Sequence, residues 1–124
     1  MKIGQLSEAT GVSIRSLRYY EKQGLISPLR QANGYREYSP LMIETVATIK
    51  LYLNLGLTTE QIAGFLTCVL QNKEAFCTEV LPVYEQKLAE IEEQIKQLSQ
   101  IRDNLIDRIG DVVSERQQFP SKEC

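Results

Sequence analysis

From residue 79 onward the apolar side chains fall into a pattern that few folds accommodate. Leu81, Tyr84, Leu88, Ile91, Ile95 and Leu98 advance by alternate threes and fours, set among Glu85, Lys87, Glu92, Glu93, Lys96 and Gln97. That period keeps one narrow stripe of a helix turned toward a partner helix, as in a coiled coil. After Leu98 the register takes an extra three-residue step through Ile101 and on to Leu105 and Ile109. The pattern predicts one helix from Glu79 to about Ile109, with Pro82 tolerated in its first turn. A stripe this long exceeds what a small head would cover, and the chain has no second long helix for an internal hairpin. A second copy of the chain is therefore the expected partner. From Gly110 the chain reads as a loop and tail, Asp111 to Cys124, containing Pro120 and Ser121.

At the other end, Ile3, Leu6 and Ala9 are spaced as one helical face between Lys2 and Thr10, followed by Gly11 where a left-handed turn is needed. Ser13 is placed to cap a second helix, Ser-Ile-Arg-Ser-Leu-Arg-Tyr-Tyr-Glu, with Ile14 and Leu17 inward and Arg15, Arg18 and Tyr19 outward. Two short helices about a glycine turn make a helix-turn-helix, whose second helix enters the major groove of DNA. Arginine forks suit phosphates and guanine edges, and a tyrosine hydroxyl can bond a phosphate. Such helix pairs also occur where no nucleic acid binds. Past Gly24-Leu25 and Ser27-Pro28, the run Arg30 to Tyr38 carries Asn33-Gly34-Tyr35-Arg36, which predicts two short strands about a turn. This is a wing that would set Arg30, Tyr35, Arg36 and Tyr38 beside the groove.

Leu17-Arg18-Tyr19-Tyr20-Glu21, Gly24-Leu25, Asn33-Gly34-Tyr35-Arg36 and Tyr38 together resemble the winged-helix DNA-binding head of MerR-type transcription regulators, over roughly residues 1–70. The resemblance implies a DNA face made of Ser13, Arg15, Ser16, Arg18, Tyr19 and Tyr20 on the second helix and Arg30, Tyr35, Arg36 and Tyr38 on the wing. It also implies that the long helix pairs antiparallel in a homodimer, through Leu81, Tyr84, Leu88, Ile91, Ile95, Leu98, Ile101 and Leu105. The implied partners are double-stranded promoter DNA and, through the shared promoter, RNA polymerase; the implied mechanism is distortion of the DNA between promoter elements. The chain departs from the family in lacking an arginine near Leu53 or Asn54. Sensing is expected to use the helix ends and the short tail, in place of the large effector domain of drug-binding members.

Between head and stripe, Ser39-Pro40 is expected to open a third helix, with Ile43, Val46, Ala47, Ile49, Lys50 and Leu53 running to a stop at Gly56. Thr58 or Thr59 should cap a fourth, from Glu60 to about Leu70, with Ile62, Phe65 and Leu66 inward. The fold class is thus mostly α: a winged helix-turn-helix domain with a small β wing and linker helices (1–74), a coiled-coil dimerisation helix (75–110) and a short tail (111–124).

Charge supports this division. Residues 1–56 hold seven basic against four acidic side chains, net +3, while the remainder holds seven against twelve, net −5. Phosphates feel local charge, because screening cuts off distant charges beyond about 10 Å. The chain has no histidine, which removes His-based metal sites, the Ser-His-Asp triad and the Cys-His pair. No glycine-rich phosphate loop occurs either, so an enzyme is not expected. The alternative from another class is a coiled-coil adaptor without regulatory function, which specific duplex binding would distinguish. No run of about 18 apolar residues and no leader-like start are present, so cytoplasmic residence is expected.

Three cysteines, Cys68, Cys77 and Cys124, lack zinc-finger spacing and are expected to be reduced thiols. Cys68 lies in an apolar run and reads as core. In metal-sensing relatives a cysteine at the position of Cys77 joins thiols in a loop after the partner's helix; here Gly110-Asp111-Val112-Val113 has none and only Cys124 remains. Three readings of Cys77 stand: an inert buried thiol, a thiol sensor near a helix start, and a soft-metal ligand with Cys124. Two thiolates suit a linear Cu(I)-type ion, whereas zinc takes four ligands.

Overall fold

In a computed structural model that describes residues 1–30 and 34–119, helix α1 spans Ile3–Thr10. The turn residue Asn33 and the tail thiol Cys124 lie outside the described residues, and Arg30 is described by its main chain alone. α1 ends at Gly11, whose φ of 72° lets its N–H reach Ser7 O at 2.9 Å. α2 spans Ile14–Lys22, and Ser13 Oγ accepts the Ser16 N–H at 3.1 Å, capping it as expected. The inward face of α2 is Leu17 and Tyr20, whereas Ile14 is 40% exposed. Ile14 was expected beside Leu17. At the first helical position it precedes the turn that packs, and the next residue one turn on from Leu17, Tyr20, completes the face instead.

The wing is an antiparallel pair, β1 Leu29–Arg30 and β2 Arg36–Glu37, with Leu29 opposite Glu37 and Arg30 opposite Arg36. Its exit is tied to the start of the chain. Tyr38 N–H donates to Met1 O at 2.7 Å, and the Met1 nitrogen donates to Tyr38 O at 2.8 Å.

The third helix, α3 Met42–Asn54, begins later than Ser39-Pro40 suggests. Ser39 Oγ accepts from Leu41 N–H at 3.2 Å, but Met42 N–H closes on Ser39 O at 2.9 Å, which makes a turn ahead of the helix. Thr45, Val46, Ile49 and Tyr52 form its buried row, while Ile43, Ala47 and Lys50 are exposed, correcting half of the expected stripe. α4, Thr59–Gln71, has the expected Thr58 cap, reinforced by Gln61 returning a bond to Thr58 N–H, and buries Ile62, Phe65 and Leu66. α1 packs on α2 and α3, and α3 on α4, around Leu6, Leu17, Ile26, Tyr38, Val46, Ile49, Tyr52, Ile62 and Phe65.

A 3-10 turn, Glu74–Phe76, leads to α5, Val80–Gln118. The helix does not stop near Gly110. One helical glycine costs only about 1 kcal/mol, and here it is bracketed by apolar residues in register and by an Arg108–Asp111 ion pair at 3.8 Å. The expected loop from Asp111 is therefore helix as far as Gln118.

Two compact units result, Met1–Glu85 and Gln86–Cys124. Within the first, Val80 is buried and Val83 and Tyr84 pack on the core. The Tyr84 ring lies 6.2 Å from that of Tyr52 and 6.5 Å, edge-on, from that of Phe65. Tyr84, expected in the dimer seam, is thus part of the head, since its large ring fills the space beside Phe65. Its hydroxyl donates to Glu74 Oε1, and burial together with that bond pushes the phenol pKa up. Within the second unit the apolar row of α5 is open among the described residues: Leu88, Ile95, Leu98, Ile101 and Leu105 are exposed and Ile91 is half-buried.

Two of the three cysteines, expected as reduced thiols, are corrected as well. Cys68, near the end of α4, and Cys77, ahead of α5, form a disulfide with Cα atoms 6.1 Å apart. The 3-10 turn folds the connection back on α4 and brings the two together, within the separation a disulfide spans.

Candidate nucleic-acid interface

The cap at Ser13 fixes where α2 starts and so which side chains leave its outer face. Leu17 and Tyr20 anchor the helix in the core, and Arg15, Arg18 and Tyr19 are exposed, Tyr19 by 49%. Ser13 Oγ donates to Ser16 Oγ at 3.0 Å, so both hydroxyls stand together at the helix start, where partly free N–H groups favour an anion.

The wing is held against α2 by one carboxylate. Glu21 Oε2 accepts from Arg36 Nη1 at 3.1 Å and from Tyr38 Oη at 3.4 Å. Tyr38 is only 1% exposed; burial first, then the Glu21 charge, raises its pKa. Beside this contact lies a recess of about 250 Å³ lined by Lys2, Ile3, Arg18, Tyr35, Arg36 and Tyr38. Lys2 Nζ stands 5.8 Å from the centre of the Tyr35 ring, a cation–π placement. Three cations from three segments, one before α1, one on α2 and one on β2, therefore line one recess, and of these Arg36 is bonded to Glu21. Such a surface neutralises phosphates without reading sequence, while the outward side chains of α2 can meet base edges.

Of the ten residues expected on the DNA face, Arg18, Tyr35, Arg36 and Tyr38 come together around the recess, while Arg15, Ser16 and Tyr19 on α2 and Ser13 at its cap are not part of its lining. Two expectations need correction. Tyr20 is a core residue, because it is the inward neighbour of Leu17, and Tyr38 is buried beneath the wing, where it supports Glu21 instead of facing solvent. Arg30 pairs with Arg36 along the ladder; its side chain lies outside what is described. Lys2 was missed. Nothing in the sequence singles out a lysine next to the first residue; the main-chain pairing of Met1 with Tyr38 carries it to the wing.

A small wing, a capped outward helix and a convergent basic recess define a winged helix-turn-helix DNA-binding protein. Comparison with known proteins gives the family. Residues 1–67 match the MerR HTH family regulatory protein, and residues 43–108 match the MerR DNA-binding region. The chain is 32% identical to the transcriptional regulator HmrR of Rhizobium leguminosarum bv. viciae, across 85% of this chain and 81% of that one. It is 35% identical to the mercuric resistance operon regulatory protein of Bacillus cereus, across 86% and 80%. The fold is similar to that of the transcription regulator PbrR691 from Ralstonia metallidurans CH34, solved in complex with lead(II), at a TM-score of 0.75 and 24% identity over 86% of this chain and 83% of that one. The chain belongs to the MerR family and is a DNA-binding transcription regulator. Among the described residues, no helix is long and apolar enough to cross a membrane.

Proposed function

We propose that the chain works in the cytoplasm as a homodimer joined along α5, seats two heads on a promoter, and controls RNA polymerase by bending and untwisting the DNA between them, without catalysis. Large bends cost several kcal/mol, an amount that phosphate contacts and a differential between two dimer arrangements can offset. The observation that carries this reading is the convergence of Lys2, Arg18 and Arg36 beside the outward face of α2. Arg18→Ala and Arg36→Ala should each weaken binding to selected and unrelated duplexes alike, and lower the slope of log affinity against log salt by about one. Arg15→Ala should relax preference at one base position by about 1–3 kcal/mol. Footprints and salt slopes like the parent's in all three would reject this DNA face.

A soft metal ion as signal is a second reading, favoured by the relative named for mercuric resistance and the neighbour solved with lead(II). No group of three or more His, Cys, Asp or Glu gathers among the described residues, so a closed site of three or four such ligands does not fit there. Cys68 and Cys77, once reduced, offer two sulfurs, the number a linear Cu(I)-type ion accepts, and Cys77 with Cys124 is the other pairing. Titration of the reduced chain with Cu(I) against a coloured chelator should show one equivalent bound and lost in Cys77→Ser. Cys68→Ser and Cys124→Ser then tell which sulfur is the second ligand.

A further inference from the structure

We infer that Cys68 and Cys77 are a reversible redox-modification site that clasps the end of α4 to the start of α5. The inference rests on the regulator reading above. The two sulfurs come from opposite ends of one connection, nine residues apart, and their Cα atoms stand 6.1 Å apart. The segment they close is short and is held by local bonds: Asn72 N–H and Nδ2 donate to Cys68 O at 2.9 and 3.2 Å, Phe76 N–H to Lys73 O at 2.9 Å, and Cys77 N–H to Glu74 O at 3.0 Å. Glu74, inside the closed segment, accepts the Tyr84 hydroxyl, and Tyr84 packs on Tyr52 and Phe65. The clasp therefore acts on the piece of chain that fixes the first turns of α5 to the head.

The two thiols differ in access: Cys77 is 4% exposed and Cys68 is half-buried. A hydroperoxide is the oxidant this arrangement suits. The Cys68 thiolate attacks the peroxide oxygen, the O–O bond breaks, and the leaving oxygen takes a proton to give water or an alcohol. The resulting sulfenic acid is attacked at sulfur by the Cys77 thiolate, forming the S–S bond and releasing hydroxide, which is protonated to water. Two sulfurs together give up two electrons and the peroxide takes them. A dithiol reverses the step by exchange, becoming a disulfide itself.

The site is also easy to read out. Trypsin cleaves at Lys50, Lys73 and Lys87, so Cys68 lies in peptide 51–73 and Cys77 in peptide 74–87, which stay joined only when the bond is closed. The test uses the full chain with Cys124→Ser, reduced and then treated with graded hydrogen peroxide. The linked peptide pair should accumulate near one equivalent of peroxide and disappear with dithiothreitol. Duplexes selected from a random pool by the reduced chain serve as the DNA probe. Closing the clasp should change affinity for them roughly tenfold, within the range of site-to-site couplings. Cys68→Ala and Cys77→Ala, each checked for native helicity, should bind alike before and after peroxide. The comparison of oxidised with reduced parent needs no substitution and stands if a variant misfolds. Oxidation to sulfinic acid without linked peptides, or equal affinity of linked and reduced parent, overturns the switch and leaves the regulator reading intact. Failure to enrich any duplex overturns the regulator reading, and the switch with it.

Discussion

Leu88 is the position where the proposed dimer can be tested most sharply. In the single chain its side chain is 57% exposed, at the start of an apolar row that no described residue covers. Full burial of a leucine is worth about 1.5–3 kcal/mol, so covering the open portion contributes about 0.9–1.7 kcal/mol per copy. A symmetric pair contains two copies, and Leu88→Ala should weaken the dimer by about 2–3 kcal/mol, or about 30- to 150-fold in Kd. Alanine is the strongest helix former, so the helix itself should survive and the loss should be specific to pairing. Sedimentation equilibrium over a range of concentrations measures this, with Lys96→Ala, outside the seam, as the control expected to match the parent. Ile95→Ala, 58% exposed, should behave like Leu88→Ala. A parent that is monomeric at micromolar concentration, or dimer constants unchanged in both variants, would refute the reasoning.

Ser13→Ala removes the acceptor of the Ser16 N–H and should cost the head about 1 kcal/mol, lowering its thermal midpoint by about 4–8 °C in a calorimetric scan. Tyr84 has its folded pKa raised by burial and by the bond to Glu74, so its contribution is complete below the unfolded value of about 10 and is lost as pH climbs toward the folded value. Stability to urea should therefore fall from pH 9 to pH 10.5, and less steeply in Tyr84→Phe; equal slopes would contradict the assignment. Glu21→Gln should loosen the wing and reduce the difference in DNA affinity between Arg36→Ala and the parent background, a coupling that a double-mutant cycle reads directly.

Elements governed by local rules were legible in the chain. The Ser13 and Thr58 caps, the left-handed Gly11 and the inward Ile62, Phe65 and Leu66 follow from short-range chemistry that any six residues display. What escaped depended on distant partners. Tyr20, Tyr38 and Tyr84 carry the same phenol whether they face DNA, a seam or the core, and only packing against Leu17, Glu21 and Phe65 decides which. From Gly110 the sequence reads as a loop and tail, yet the cost of one helical glycine is small beside a continuous apolar row, and the helix runs to Gln118. The pairing of Cys68 with Cys77 needed the fold-back of the connector, which no periodicity announces.

The stitch between Met1 and Tyr38 has a consequence for motion. Two residues per strand make a ladder too short to persist unaided, so the amides of Arg36 and Glu37 should exchange with solvent readily. The Tyr38 amide, bonded to Met1 O at 2.7 Å with its ring enclosed, should exchange only when the head opens as a whole. Within two residues, from Arg36 to Tyr38, the backbone is thus expected to pass from fast to slow exchange, with Tyr38 as the fixed root. An arginine mounted just beyond such a root sweeps a small volume around a fixed point, and closing on a phosphate costs it little ordering entropy.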